Sequence, residues 1–207
     1  MPRSFYARSP KVVARNLIGK VLIHDLNGER LIGRIIETEA YLGLADPASH
    51  AFRGETPANA VLFGPPGFTH VYLIYGINDC LSISSHLDGK AGGVLLRALD
   101  PISGLKTMTR LRGLSGTQNA TALTGGPGKL CKALGINRKH HNNMDVTDSG
   151  SPIRIFDDGH RQNKIQTSIR IGITKATEEL LRFRAIIEKH ENGESHFRPL
   201  ILRHACQ

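Results

Sequence analysis

Long apolar runs are missing from this chain. No stretch of 18 residues is continuously apolar, and the opening Met1-Pro-Arg-Ser-Phe-Tyr6 lacks the apolar segment of a secretory leader. Neither export nor membrane spanning is therefore expected. Cysteine is scarce and odd in number: Cys80, Cys131 and Cys206 are widely spaced and form no C-x-x-C. That excludes a disulfide framework or a zinc ribbon and points to reduced thiols in a cytoplasmic, nucleoid-associated setting. The adjacent His140 and His141 have no H-E-x-x-H or matching His/Cys spacing around them, so no metal site is expected and both read as solvated. Internal repeats, low-complexity tracts and a dividing linker are also absent. Acidic residues fall short of basic ones, 18 Asp+Glu against 27 Lys+Arg, giving a net charge of +9 and a pI near 9.8. Such a surface draws an anionic partner, most commonly nucleic acid.

What is present suits one loop-rich globular domain over residues 1–207, with 40% hydrophobic residues, 22 glycines and 10 prolines. Ser9-Pro10 predicts a short helix start that Gly19 can close. Asn27-Gly28, the dipeptide best suited to the two positive-φ positions of a type I′ turn, predicts a hairpin between Lys20–Leu26 and Arg30–Tyr41. Thr56-Pro57 predicts a short helix through Phe63, inside a long loop from Leu42 to Phe68. Thr69–Tyr75 reads as a strand that Gly76 turns, and Cys80–Leu87 with Gly92–Leu99 as a hairpin around Asp88-Gly89. Gly104–Arg112 has helical spacing, Gly113–Thr124 reads as loop, and Asn137–His141 as a basic loop. Ser151–Phe156 and Ile165–Thr174 read as strands, the second with Ile169, Ile171 and Ile173 on one face. Thr177–Ile187 fits either a helix capped at Thr177 or a turn and strand, and a polar tail follows from Lys189.

Three stretches could carry chemistry. In Arg34–Tyr41, strand alternation places Ile35, Glu37, Glu39 and Tyr41 on one face, so two acids and a phenol share a surface. Periodicity cannot choose between the acids, and a solvated strand face fits the same pattern. Arg97 interrupts the apolar run Val94–Leu99, so it either snorkels at an edge or pairs with a buried carboxylate. Gly125–Gly135 invites comparison with a P-loop, yet Leu123 stands where the first glycine belongs and Leu130 where the Mg²⁺-binding hydroxyl belongs. A helix starting at Pro127 with Lys129 and Lys132 could still hold a nucleic-acid phosphate, or simply carry solvated lysines.

Taken together, Glu-Thr-Glu-Ala-Tyr-Leu-Gly (37–43), Asp-Pro-Ala-Ser-His (46–50), Val-Tyr-Leu-Ile-Tyr-Gly (71–76), Val-Leu-Leu-Arg-Ala-Leu (94–99) and Gly-Pro-Gly-Lys-Leu-Cys-Lys-Ala-Leu (126–134) resemble the alkyladenine (3-methyladenine) DNA glycosylase family. The resemblance runs from Ala-Arg-Asn-Leu-Ile-Gly (14–19) through Arg-Ile-Gly-Ile (170–173) to Leu-Arg-Phe (181–183). It implies an α+β fold, a single mixed domain with a curved antiparallel sheet and surrounding helices. It also implies a monofunctional base-excision repair hydrolase without metal or cofactor, acting as a monomer on double-stranded DNA that contains damaged purines. By motif position, Glu39 would activate water and Arg97 would hold carboxylate and water in place. Tyr41, His50 and Tyr72 would line the pocket for the flipped base, and Tyr75 would fill the hole left in the duplex. No lysine falls inside these pocket motifs, so a Schiff-base lyase step is not suggested.

The chain departs from the family pattern on the expected DNA side. Ser82 replaces an asparagine that touches the base, Asn78 and Asp79 replace aromatic or histidine residues, Ala58 an arginine, Glu55 a commonly basic residue and Leu62 a methionine. Arg53, Lys129 and the basic segments near 110 and 138 would then carry the phosphate contacts, and a shifted substrate range or weaker duplex affinity follows. A non-catalytic or substrate-narrowed damaged-DNA-binding protein of the same fold is the rival reading.

Overall fold

A computed structural model describes residues 1–74, 76–87, 90–116 and 118–186. Tyr75, Asp88-Gly89, Cys206 and the tail from Lys189 lie outside them. Two short helices, α1 (Arg3–Tyr6) and α2 (Pro10–Leu17), lead into β1 (Val21–Leu26) and β2 (Glu29–Tyr41). The β1–β2 register runs Leu26↔Glu29 to Val21↔Arg34, leaving Asn27 (φ 51°) and Gly28 (φ 83°) as the two-residue turn that the dipeptide demanded. β3 (Thr69–Ile74), β4 (Asn78–Ser84) and β5 (Gly93–Ser103) follow, then α3 (Leu105–Leu111), α4 (Ala120–Thr124), α5 (Pro127–Leu134) and α6 (Arg138–His141). β6 (Ile153–Phe156), β7 (Ile165–Ser168) and β8 (Arg182–Ala185) complete the described chain.

All pairings are antiparallel, in the order β3-β4-β5-β2-β1-β6, and β8 pairs with both β2 and β7. The result is a curled sheet with helices around it, a single mixed α+β architecture. β2 is its central strand. Its first half pairs with β1, and Glu37–Glu39 pair with β8 on one side and β5 on the other. The core is built from fully buried Tyr6, Leu17, Leu22, Leu31, Ile35, Leu81, Ile83, Leu96 and Leu99. Each such side chain contributes about 1.5–3 kcal/mol of transfer free energy before the entropy of ordering is set against it. α2 lies against the Thr38 face of β2, where the Thr38 hydroxyl donates to the Ala14 carbonyl at 2.8 Å.

Several sequence expectations change. A register shift between Ile35 and Glu37 leaves Ile36 as an extra residue in β2, so Ile35 belongs to the core rather than to the face of Glu37, Glu39 and Tyr41. The Thr56–Phe63 helix is a turn closed by Asn59, whose Oδ1 accepts from Thr56 N–H at 2.7 Å, followed by one 3₁₀ turn over Ala60–Leu62. Asparagine caps convert two expected loops into helical turns: Asn119 accepts from Ala122 N–H to start α4, and Asn137 from His140 N–H to start α6. His141 is buried, edge-to-face with buried His24 at 4.8 Å, and so is not solvated. The Ile165–Thr174 strand stops at Ser168, because the chain then turns Arg170 inward, and Ile169 and Ile171 are half exposed. Over its described residues, 177–186, the Thr177–Ile187 stretch takes the turn-and-strand alternative as β8.

Candidate active site

Directly opposed residues on neighbouring strands present side chains on the same face, so the register defines a row across the sheet. His70 opposes Ser82, Ser82 opposes Leu95, Leu95 opposes Glu39, and Glu39 opposes Arg182. Three strand spacings separate the His70 and Glu39 backbones, about 14 Å. Arg97, two residues beyond Leu95, and Tyr41, two beyond Glu39, flank this row on the same face.

Glu39 is fully buried and held by three donors. Its Oε1 accepts from the Ile171 backbone N–H at 2.8 Å and lies 3.3 Å from Arg97 Nη1, while Oε2 accepts from the Tyr41 hydroxyl at 2.9 Å. A carboxylate offers about four lone-pair sites, so Oε2 keeps capacity to take a proton. Glu37 is partly exposed, bonded by Arg97 Nε at 2.9 Å and approached by Arg182 Nε at 3.3 Å. Arg97 therefore spans both acids, with its shorter bond to Glu37. The buried-carboxylate alternative for this arginine is the one observed.

A second buried pair stands behind Tyr41. Arg170 Nη1 and Nη2 meet Asp46 Oδ2 and Oδ1 at 2.5 and 2.9 Å, Nη1 also donates to the Ala40 carbonyl, and the guanidinium sits 4.7 Å from the Tyr41 ring centre. Asp46 in turn accepts from Leu42 N–H at 3.1 Å and Ala48 N–H at 3.0 Å. Burial pushes the Asp46 carboxyl up, but Arg170 and these two amides outweigh it and hold the group below the usual carboxylate range. Burial first, then the charge of Glu39, pushes the Tyr41 phenol up, so it stays a donor. One aspartate thus ties the end of β2, the following loop and residue 170 together.

Above this floor is a cavity of about 510 Å³, walled by Tyr41, His50 and Tyr72 with His70 and Ser82, and bounded by Leu62, Arg53 and the segment 172–175. Asn59 fixes the loop that carries His50, donating to the His50 carbonyl at 2.8 Å and the Gly54 carbonyl at 3.0 Å. A small apolar cluster of Ala51, Leu62 and Ala91 packs beneath that loop. His50 meets Tyr72 edge-on at 4.4 Å, and His70 stacks on Tyr72 at 5.1 Å with planes 25° apart. Burial pushes the Tyr72 phenol up, with Ser82 beside it pulling the other way.

The structure places Tyr41, His50, Tyr72, Ser82 and Arg53 on the cavity wall, while Glu39 and Arg97 lie behind it and join it through the bond from the Tyr41 hydroxyl to Glu39. Lys129 is not among the cavity residues; it lies in the first turn of α5, next to Gly128, whose α-carbon is packed against Asn78. Tyr75 lies outside the described residues. Sequence reasoning gave no role to Asp46, Arg170, His70, Asn59 or the Ile171 amide, although Asp46, Arg170 and Ile171 stood within recognised motifs. Lys175 lines the cavity just past Arg-Ile-Gly-Ile, outside the motifs that contain no lysine. Among the described residues, no three His, Cys, Asp or Glu side chains converge as metal ligands.

Comparison with known proteins first gives a class: hydrolases of N-glycosidic bonds that act on DNA. The family model described as methylpurine-DNA glycosylase matches residues 4–190. Proteins named "Putative 3-methyladenine DNA glycosylase" are 45% identical in Koribacter versatilis over 183 residues, 88% of each chain, and 44% identical in Methanocella arvoryzae over 182 residues, again 88% of each. One from Alkaliphilus oremlandii is 40% identical over 186 residues, 87% of this chain and 91% of its own. The chain belongs to the methylpurine-DNA glycosylase family. No helix among the described residues is long and apolar enough to cross a membrane.

Proposed function

We propose that the protein flips alkylated or deaminated purines, such as 3-methyladenine, 7-methylguanine and hypoxanthine, out of double-stranded DNA and hydrolyses their N-glycosidic bond. The observation that carries this reading is Glu39, a buried carboxylate oriented by Arg97, by the Ile171 amide and by Tyr41, whose ring also lines an aromatic cavity. A damaged purine cannot be reached while stacked, and unstacking costs least where pairing is already weakened. Tyr75, placed by its motif, fills the vacated step, and Arg53 takes a phosphate. Alkylation gives the purine a positive charge, which a tyrosine face attracts by about 0.5–2 kcal/mol. Tyr41 already has Arg170 against its ring, so the cationic base gains most from Tyr72 and from the free face of Tyr41.

As the bond from C1′ to the purine breaks, the base leaves with the bonding electrons and charge develops on the sugar as an oxocarbenium. Glu39 stabilises that charge and takes a proton from the water that adds to C1′, while Arg97 keeps the carboxylate aimed. Glu37 serves as a counter-charge for Arg97 and Arg182. Ser82, which lines the cavity beside Tyr72, faces the base edge.

The test is single-turnover release from duplexes carrying each lesion. Glu39→Gln should still bind lesion DNA and lose release about 100-fold or more. Retained release would move the base role to Glu37, and no release by the native protein despite lesion binding would favour the binding-only reading. Borohydride should trap no covalent complex with lesion DNA. A trapped complex that Lys175→Ala abolishes would assign a lyase step to that side chain instead.

A further inference from the structure

We infer that His70 is a positioning residue that leaves the proton on His50 free to sit on either ring nitrogen, so that one cavity accepts both 6-amino and 6-oxo purines. The inference rests on the glycosylase reading for its substrates, but its geometry is independent of it. His50 Nδ1 lies 3.4 Å from His70 Nε2, with the ring centres 5.7 Å apart and the planes nearly perpendicular, 85°. Both rings line the cavity. Among the described residues, no protein group bonds the remaining nitrogen of either: His50 Nε2 faces no protein partner, and His70 Nδ1 is buried and unpaired.

Burial pushes the His50 imidazole below its ordinary value. It pushes His70 down to about 4, with His50 and Arg138 adding to the effect. Near pH 7 the pair therefore holds two neutral rings with one N–H each, and the N···N contact requires one hydrogen between them.

Two arrangements meet that requirement. When His50 Nδ1–H donates to His70, His50 Nε2 is a bare acceptor that suits the amino group at C6 of an adenine-type base. When His70 Nε2–H donates to His50, His50 carries its proton on Nε2 and becomes a donor for the oxygen at C6 of hypoxanthine. A histidine bonded to a backbone carbonyl has no such choice, and His24 in this protein is of that kind, with Nδ1 2.7 Å from the Leu134 carbonyl. His70 has no carbonyl on Nδ1: its own proton sits there in the first arrangement and on Nε2 in the second, so the exchange releases one proton from His70 Nδ1 to water and takes one up at His50 Nε2.

The experiment has two arms. In protein labelled with ¹⁵N-histidine, the ring nitrogens of His50 should show shifts averaged between the two tautomers, while His24 shows a single one. A single locked tautomer for His50 in the native protein overturns the inference. In the second arm, release of hypoxanthine and of 3-methyladenine is compared for the native protein, His70→Phe and His70→Gln. Phenylalanine removes the partner and should change the ratio of the two rates by about tenfold, since one base then meets a mismatched nitrogen. The glutamine carboxamide can present either N–H or oxygen, and it should keep the native ratio. Identical ratios in all three proteins overturn the inference, as does a glutamine variant that behaves like phenylalanine. If the native protein releases neither base, the glycosylase reading fails, while the ¹⁵N arm still decides the state of the histidine pair.

Discussion

Replacing Arg170 by methionine isolates the contribution of the pair behind Tyr41. Its side chain and that of Asp46 are essentially inaccessible, at 0% and 2% exposure, so the substitution strands a buried carboxylate. Breaking a buried pair by removing one partner costs about 3–5 kcal/mol. Asp46 keeps the Leu42 and Ala48 amides, which places the loss near the lower end, about 3 kcal/mol or roughly a hundredfold in the folding equilibrium. A pH signature separates this from a simple packing loss. With Arg170 gone, burial still raises the Asp46 carboxyl and only the Leu42 and Ala48 amides oppose it, so the folded carboxyl moves upward from its lowered native position. The native carboxyl, lowered on folding, contributes stability above its unfolded value and loses it as pH falls, so the deficit of Arg170→Met should be largest near pH 7.5 and shrink towards pH 4. Urea unfolding at the two pH values measures this, and Asp46→Asn added to Arg170→Met should recover part of the loss at pH 7.5. A deficit below about 1 kcal/mol at pH 7.5, or one equal at both pH values, would refute the reasoning.

Gly43 has φ +74°, and a Cβ there would lie 1.8 Å from the Ala91 carbonyl oxygen, so Gly43→Ala should lose more than about 2 kcal/mol, and an unchanged melting temperature would show that the loop yields freely. His24, His50, His70 and His141 are all pushed down, in each case chiefly by burial. Stability should therefore be full above pH 6.5 and fall as pH drops towards 4, His70 alone accounting for about 3 kcal/mol of the decline from its fall to about 4. Urea midpoints that stay flat between pH 7 and 4.5 would contradict this.

Local chemistry made part of this architecture legible. Asn27-Gly28 announced its turn because few residue pairs accept two positive φ values in succession, and alternation found Glu37, Glu39 and Tyr41 because they lie in one uninterrupted run. The same rule misplaced Ile35, since one extra residue re-phases a strand and nothing in the local sequence marks it. Asn59, Asn119 and Asn137 read as loop residues by composition, whereas their side chains organise the turns that follow. The deeper misses are long-range. Arg170 finds Asp46 across 124 residues only because the chain returns to pair with β2, and what Ile171 gives Glu39 is a backbone amide that every non-proline residue carries. His70 sits one residue from the strand motif that includes Tyr72, yet only the register shows it facing the row that contains Glu39.

The position of Glu39 on a strand paired from both sides has a consequence for the timing of synthesis. Its neighbours arrive late and in sequence: Arg97 first, then Ile171, and last the strand that begins at Arg182. A chain still emerging from the ribosome can form the first hairpin early, but its acid then has neither its arginine nor its amide, and one edge of its strand is open. The glycosidic chemistry assigned to this site is therefore withheld until nearly all of the described chain has been made, and a fragment ending before β8 would carry the acid without the means to aim it.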